Sequence, residues 1–184
     1  MKKILSSTFM MAAVTLISLS SCKKDKNDGP TGSANLDAGR SSISFDNSGS
    51  FAGGSSFSLS NTMLCNALQT TAGSIRNISL RATETSGVKS RTVIITILID
   101  PNQNTDGGAL TSAFDTPSGT FWPTISLSST DGSTAGESYV GKSGTVKITK
   151  LNAGEIEGEF SGVVENDAET LTLTISNGHF AGKF

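Results

Sequence analysis

Among 184 residues the chain has one histidine, one tryptophan, one tyrosine and two cysteines, and each scarcity closes off some chemistry. With His179 alone, a His-rich metal centre cannot be built. Trp122 and Tyr139 are few for a platform on which sugars stack. No Gly-x-Ser-x-Gly elbow occurs, so the exposed serine nucleophile of that motif is missing. No apolar run reaches the roughly 20 residues that a membrane-spanning helix needs. Of 14 Lys and Arg, two (Lys2 and Lys3) belong to the N-terminal segment, and the rest face 16 Asp and Glu, a net charge of about −4. Without a basic patch, nucleic acid is not an expected partner.

What is present is a chain 35% hydrophobic, too apolar for wholesale disorder, with abundant Ser and Thr and β-branched residues in short alternating runs. That pattern predicts an all-β domain. The expected fold is an antiparallel β-sandwich or flattened β-barrel of about eight or nine strands, ending in a four-stranded meander.

The N-terminus has its own logic. Lys2 and Lys3 form a short positive region, Phe9 to Leu19 is apolar apart from Thr15 and Ser18, and Ser20 and Ser21 are small. This has the length and flanks of a signal-peptide core. Cys22 follows at once, so Leu19-Ser20-Ser21-Cys22 resembles a lipobox, the bacterial lipoprotein signal. The resemblance implies cleavage before Cys22, a diacylglyceryl group on its thiol and acylation of the new amine, and two or more acyl chains hold a protein stably to a membrane. An ordinary secretory signal with a cysteine near its cleavage site is the alternative. Residues 1–21 are thus expected to be a lipoprotein signal peptide, 22–40 a lipidated cysteine and flexible tether, and 41–184 a single β-domain. With Cys22 lipidated, Cys65 has no disulfide partner and reads as a small buried hydrophobe.

Along the domain, Ile43 and Phe45 alternate with serines, and Phe57 and Leu59 share a face after Gly53-Gly54. Asn61 to Gln69 fits one or two helical turns, with Leu64 and Leu68 four apart, nearly as well as a strand. Ile78, Leu80 and Ala82 share one face. Val93, Ile95, Ile97 and Ile99 share another, with Ile94 and Leu98 opposite, which predicts a strand that is central or covered on both sides. Asp100 to Gly108 reads as a polar loop, and Ile125–Ser128 and Ser138–Val140 as short strands. Near the end, Val146 and Ile148, then Ile156 and Phe160, then Leu171, Leu173 and Ile175 alternate with polar residues. Asn177-Gly178 is a strong signal for a two-residue hairpin. Such a turn would pair Ile175 with Phe180, Leu173 with Gly182 and Leu171 with Phe184. A turn at Glu165–Ala168 would set Phe160 opposite Leu173.

Gly144-Thr145-Val146-Lys147-Ile148-Thr149, Ile156-Glu157-Gly158-Glu159-Phe160-Ser161-Gly162 and Ile175-Ser176-Asn177-Gly178-His179-Phe180 resemble the ending of a family of small Bacteroidota lipoproteins of unknown function. Glu159 stands where that family usually has Thr. Lys23 to Pro30 is similar to the charged start of such proteins, though more basic than their surface-export signals. The resemblance implies an outer-membrane address, on the periplasmic side or the cell surface, and transfers no active site.

Three motifs remain. Gly136 to Ser143 satisfies GxxxxGK[ST], but a strand rather than a helix is expected to follow, so a glycine-rich turn is the better reading. Asp100 to Gly107 places oxygen ligands at alternate positions, yet Thr105 and Thr111 occupy the glycine and closing-glutamate places of a calcium loop. Glu155, Glu157 and Glu159 lie on one strand face, about 6.5–7 Å apart at successive positions. Paired carboxylates could serve glycoside hydrolysis, but a solvated acidic face relieved by Lys147 and Lys150 is commoner. The expected function is therefore a non-catalytic envelope domain, joined to the membrane through lipid on Cys22 and binding a glycan or an envelope protein, with no cofactor. A structural subunit of a surface assembly and a hydrolase using Glu155, Glu157 and Glu159 are the alternatives.

Overall fold

The computed structural model describes residues 32–114, 121–131 and 136–184. Cys22 and the signal segment lie outside these. A short 3-10 turn, η1 (Ser33–Asn35), precedes ten strands: β1 (Arg40–Phe51), β2 (Gly54–Ser60), β3 (Cys65–Ala72), β4 (Ile75–Ser86), β5 (Lys89–Ile99), β6 (Thr105–Ala113), β7 (Phe121–Thr130), β8 (Ser138–Leu151), β9 (Glu155–Asn166) and β10 (Thr172–Lys183). All pair antiparallel in one sheet, in the order β2-β1-β10-β9-β8-β7-β5-β4-β3, with β6 set beside the C-terminal half of β8.

The sheet curls on itself until its β3 edge meets the start of β1. There Ala67 N–H donates to Gly39 O (2.9 Å), and Ser41 Oγ donates to Arg81 O (2.8 Å). The all-β expectation holds, in the form of a flattened barrel. Alternation explains the core, because Ile78, Leu80 and Ala82 on β4 and Val93, Ile95, Ile97 and Ile99 on β5 all point inward and are buried. Facing these aliphatics is an aromatic half. Phe45 stacks on Phe57 (5.5 Å between centroids) and meets Phe160 edge-on (5.9 Å), and Phe160 leans on Phe180 (6.3 Å). The interior is thus filled with side chains.

Asn61 to Gln69 resolves toward the strand reading. Cys65 begins β3 and is buried, Asn61 sits in a turn at φ 50°, and Leu64 and Leu68 are exposed. β6 begins at Thr105, inside the stretch expected to be a polar loop. Its sequence alternates weakly, and it becomes a strand because the free edge of β8 is there to pair with. β5 is central, between β4 and β7, as its two apolar faces required.

The chain does end in a four-stranded meander, β7-β8-β9-β10, but not with the expected members. Asn177-Gly178 does not reverse the chain. β10 runs straight through from Thr172 to Lys183, with a bulge where Ser176 and Asn177 together oppose Ser161. Ile175 does not pair with Phe180, nor Leu173 with Gly182, nor Leu171 with Phe184. Instead Ile175 meets Gly162, Phe180 meets Gly158 and Leu173 meets Val164, while Leu171 is exposed. The expected pairing of Phe160 with Leu173 fails for the same reason, since Phe160 faces Gly178. The physical cause is parity. Leu173 and Ile175 occupy odd positions and Phe180 an even one, yet all three must reach the core. A hairpin would allow that, and one extra residue in a continuous strand allows it equally well. Partners already flank β10 on both sides, β9 and β1, so the continuous strand keeps both ladders. β8 repeats the device: register shifts at Gly141–Ser143 and Ile148–Lys150 fuse two expected short strands into one.

Candidate functional site

Two outer surfaces differ sharply in charge. The outer face of β8 and β9 carries Lys142, Lys147 and Lys150 beside Glu155, Glu157, Glu159 and Glu165, joined in pairs across the strands. Lys147 and Glu159 are 4.0 Å apart and both largely exposed, a solvated pair of little energetic weight. Glu155 and Glu157 are different. Lys150 Nζ lies 2.7 Å from Glu155 Oε1 and 3.8 Å from Glu157 Oε1, and Asn152 Nδ2 donates to Glu155 Oε1 (3.1 Å).

Ser33, fully buried, closes the cluster from the N-terminal side. Its hydroxyl lies 2.6 Å from Glu155 Oε2 and also contacts Glu157 Oε1, and its N–H donates to Glu157 Oε1 (2.8 Å). The Lys150 ammonium and then the Ser33 and Asn152 donors hold the Glu155 carboxyl down at about 2, against a usual 4.5. Two of the three hydrolase candidates, Glu155 and Glu157, are therefore brought together, but as the anchor of a strap, while Glu159 stands apart. Residues 33–36, read from sequence as tether, are fastened to β9, with Leu36 buried beside them.

The second surface is the outer face of β3, β4, β5 and β7. Register aligns it in rows: Thr70, Asn77, Leu98 and Trp122; then Leu68, Ser79, Thr96 and Thr124; then Asn66, Arg81, Ile94 and Ser126. Arg81 is the single charge in these rows. Trp122 is half exposed, and Asn77, Thr124 and Leu68 are exposed. Tyr139, the other candidate aromatic, is buried. It meets Phe51 edge-on (6.3 Å), and its hydroxyl donates to Glu137 Oε2 (3.1 Å). Burial and then the Glu137 carboxylate raise its pKa, so it stays protonated.

Two inward-pointing arginines, Arg76 buried and Arg91 mostly buried, stand outside the residues singled out from sequence. Arg76 and Glu84 share the inward parity of Ile78, Leu80 and Ala82, and Arg91 shares that of Val93. Alternation was the signal that could have found them. Arg91 closes one end of the barrel. Its guanidinium pairs with Glu84, donates to Ser56 O (2.9 Å), and sits over the rings of Phe57 (5.4 Å) and Phe51 (5.7 Å). Arg76 closes the other end, donating to the carbonyls of Pro101 and Asn152 and to Asn104 Oδ1.

The remaining motifs settle as ordinary structure. Gly136 to Ser143 runs into β8, with no helix after it. In the Asp100 loop, Asp100 Oδ1 accepts from Asn102 N–H (2.8 Å), while Asn104 Oδ1 accepts from Arg76. Among the described residues no group of three or more His, Cys, Asp or Glu could hold a metal. His179 is half-buried in β10 between Ser44 and Glu159. Comparison with protein-family models, with curated proteins and with solved structures finds no match.

Proposed function

We propose that this is a lipid-anchored envelope protein of the outer membrane whose β-domain binds an extracytoplasmic ligand without catalysis. The observation that carries the anchor is Cys22, directly after an apolar segment and Leu19-Ser20-Ser21, with nine residues between it and Gly32, where the described fold begins. Cys22 precedes every described strand in the chain, the first being β1 at Arg40. The non-catalytic half is supported by the glutamates. A glycosidase needs one carboxyl kept protonated near neutral pH, and Glu155 is drawn the other way. Glu157 is engaged by Ser33, and Glu159 is solvated beside Lys147.

The test is metabolic labelling with an alkyne fatty acid in a bacterium expressing the full chain. Wild type takes up the label and stays with membranes through a high-salt wash. Cys22→Ser takes up none and is released still folded, with melting unchanged. An unlabelled wild type, or a variant that still sediments with membranes, would overturn the anchor.

A further inference from the structure

We propose that the barrel end carrying the Ser33 strap rests on the lipid surface, with Trp122 and Ile75 in the membrane interface. This rests on the reading of Cys22 as lipidated and adds which part of the domain the membrane meets. Where the chain enters the fold is the first observation. Gly32 lies against Glu157, and Ser33 is fastened to Glu155 and Glu157 at the start of β9. The β8–β9 turn and the Asp100 loop stand at that same end, joined by Arg76, which donates to Asn152 O, Pro101 O and Asn104 Oδ1. Nine residues separate Cys22 from Gly32, so the lipid lies within about 35 Å of Gly32 even at full extension. From that point β9, with 12 residues, runs about 37 Å to the opposite end. To bring the opposite end to the membrane, the tether would have to run taut along the whole strand.

What each end exposes is the second. Arg76, Ile99 and Phe121 stand in register at the tether end. Ile75 and Trp122 adjoin that row and point outward, both about half exposed, and strand spacing and rise put them about 12 Å apart. An indole suits the boundary of a bilayer, with its ring among acyl chains and its N–H toward water, and Ile75 adds an aliphatic contact. The charges nearby are engaged or set aside. Lys150 and Ser33 hold Glu155 and Glu157, Asp100 accepts from Asn102 N–H, and Asp37, Arg40 and Lys183 belong to the β1–β10 side. The opposite end exposes Val88 and Leu171, but among exposed Glu137, Asp167, Glu169 and Lys89, whose charges keep it in water.

The lipid already holds the domain at the surface, so this contact is intramolecular. Two half-exposed side chains therefore suffice to set the orientation without binding membranes unaided. The domain tips toward β4, β5 and β7, because the neighbouring face of β8 and β9 carries Lys142, Lys147 and Glu159, which stay hydrated. The Arg91 end is then turned away from the bilayer.

Trp122 is the single tryptophan, so its fluorescence reads the contact directly. The fatty-acid-labelled protein is purified from membranes and reconstituted in phosphatidylethanolamine–phosphatidylglycerol vesicles, with and without bromine on the acyl chains. Bromine should quench Trp122. In the double variant Trp122→Phe, Val88→Trp, the indole moved to the opposite end should escape quenching. Ile75→Asp should keep the fatty-acid label and lose most of the quenching, because a carboxylate must leave water to enter the interface. A labelled, membrane-bound protein whose Trp122 is not quenched would overturn the docking and leave the anchor standing. Equal quenching at positions 122 and 88 would overturn the orientation. Emission that responds to protein density in the membrane, and not to bromine, would give the rim to a second copy. A protein that takes up no label would overturn the anchor and the docking together.

Discussion

Single residues close the two ends of this barrel, and the energetics there are electrostatic. Arg91 gathers Glu84, a carbonyl and two phenyl rings at a mostly buried position. Removing it strands Glu84 and uncovers Phe51 and Phe57. Arg91→Ala should therefore cost about 2–3 kcal/mol, below the full price of breaking a deeply buried pair because Glu84 is partly solvated. Thermal melts should fall by roughly 5–10 °C for a domain of this size. Arg91→Lys should recover only part, since an ammonium cannot reproduce the fork. Glu155 gives a pH signature. Its carboxyl is depressed in the fold, so its stabilising contribution is complete above the usual 4.5 and is lost as pH falls toward about 2. Wild type should lose more melting temperature between pH 5 and pH 2 than Glu155→Gln, which should already melt lower at pH 7. Equal slopes for the two proteins would mean that the Ser33 strap adds nothing to stability.

At the scale of strands, the bulges carry the specificity. Asn177 holds φ 51°, and its side-chain amide donates to Asp46 Oδ2 (3.0 Å). Deleting Asn177 would turn Phe180 and Gly182 outward, and the protein should fail to give a cooperative melt. Asn177→Gly should be mild, because glycine accepts that φ at no steric cost and only the Asp46 bond is lost. Gly178 matters for another reason: a Cβ there would overlap the Phe160 carbonyl oxygen and ring. Gly178→Ala should cost about 1–3 kcal/mol by overpacking, read from denaturant midpoints. The chain end contributes less than its alternation suggested. Phe184 is half-buried, packed on the core, with its N–H on Gly154 O (2.8 Å). Deleting Lys183-Phe184 should lower stability by about 1 kcal/mol, roughly half of a full Phe burial.

For the whole molecule, residues 33–39, ahead of residue 41, pack against the strands. A fragment starting at residue 41 loses buried Leu36, the Ser33 strap and the Gly39–Ala67 bond that closes the sheet. It should melt at least about 5 °C below a fragment starting at residue 32, since Leu36 alone accounts for about 1.5–3 kcal/mol. Equal melting would mean that the strap and Leu36 ride on the domain without stabilising it. The difference between these boundaries shows where sequence reading stops. Gly, Ser, Asn and Asp around residues 28–37 look like linker because they lack apolar period, and only the presence of Glu155 and Glu157, more than 120 residues away, gives Ser33 a partner. Local alternation by itself determined the all-β class, the inner faces of β4 and β5 and the central place of β5, because side-chain direction along a strand depends on neighbouring residues alone. It also held the inward parity of Arg76 and Arg91, and it set out the acidic row from Glu155 to Glu159. The tertiary structure decided what periodicity cannot carry: that Asn177-Gly178 shifts parity without turning the chain, that polar β6 becomes a strand against β8, and that the rows holding Trp122 are almost free of charge. Each of these depends on which strand lies alongside, and that is set by closing the sheet around one shared core.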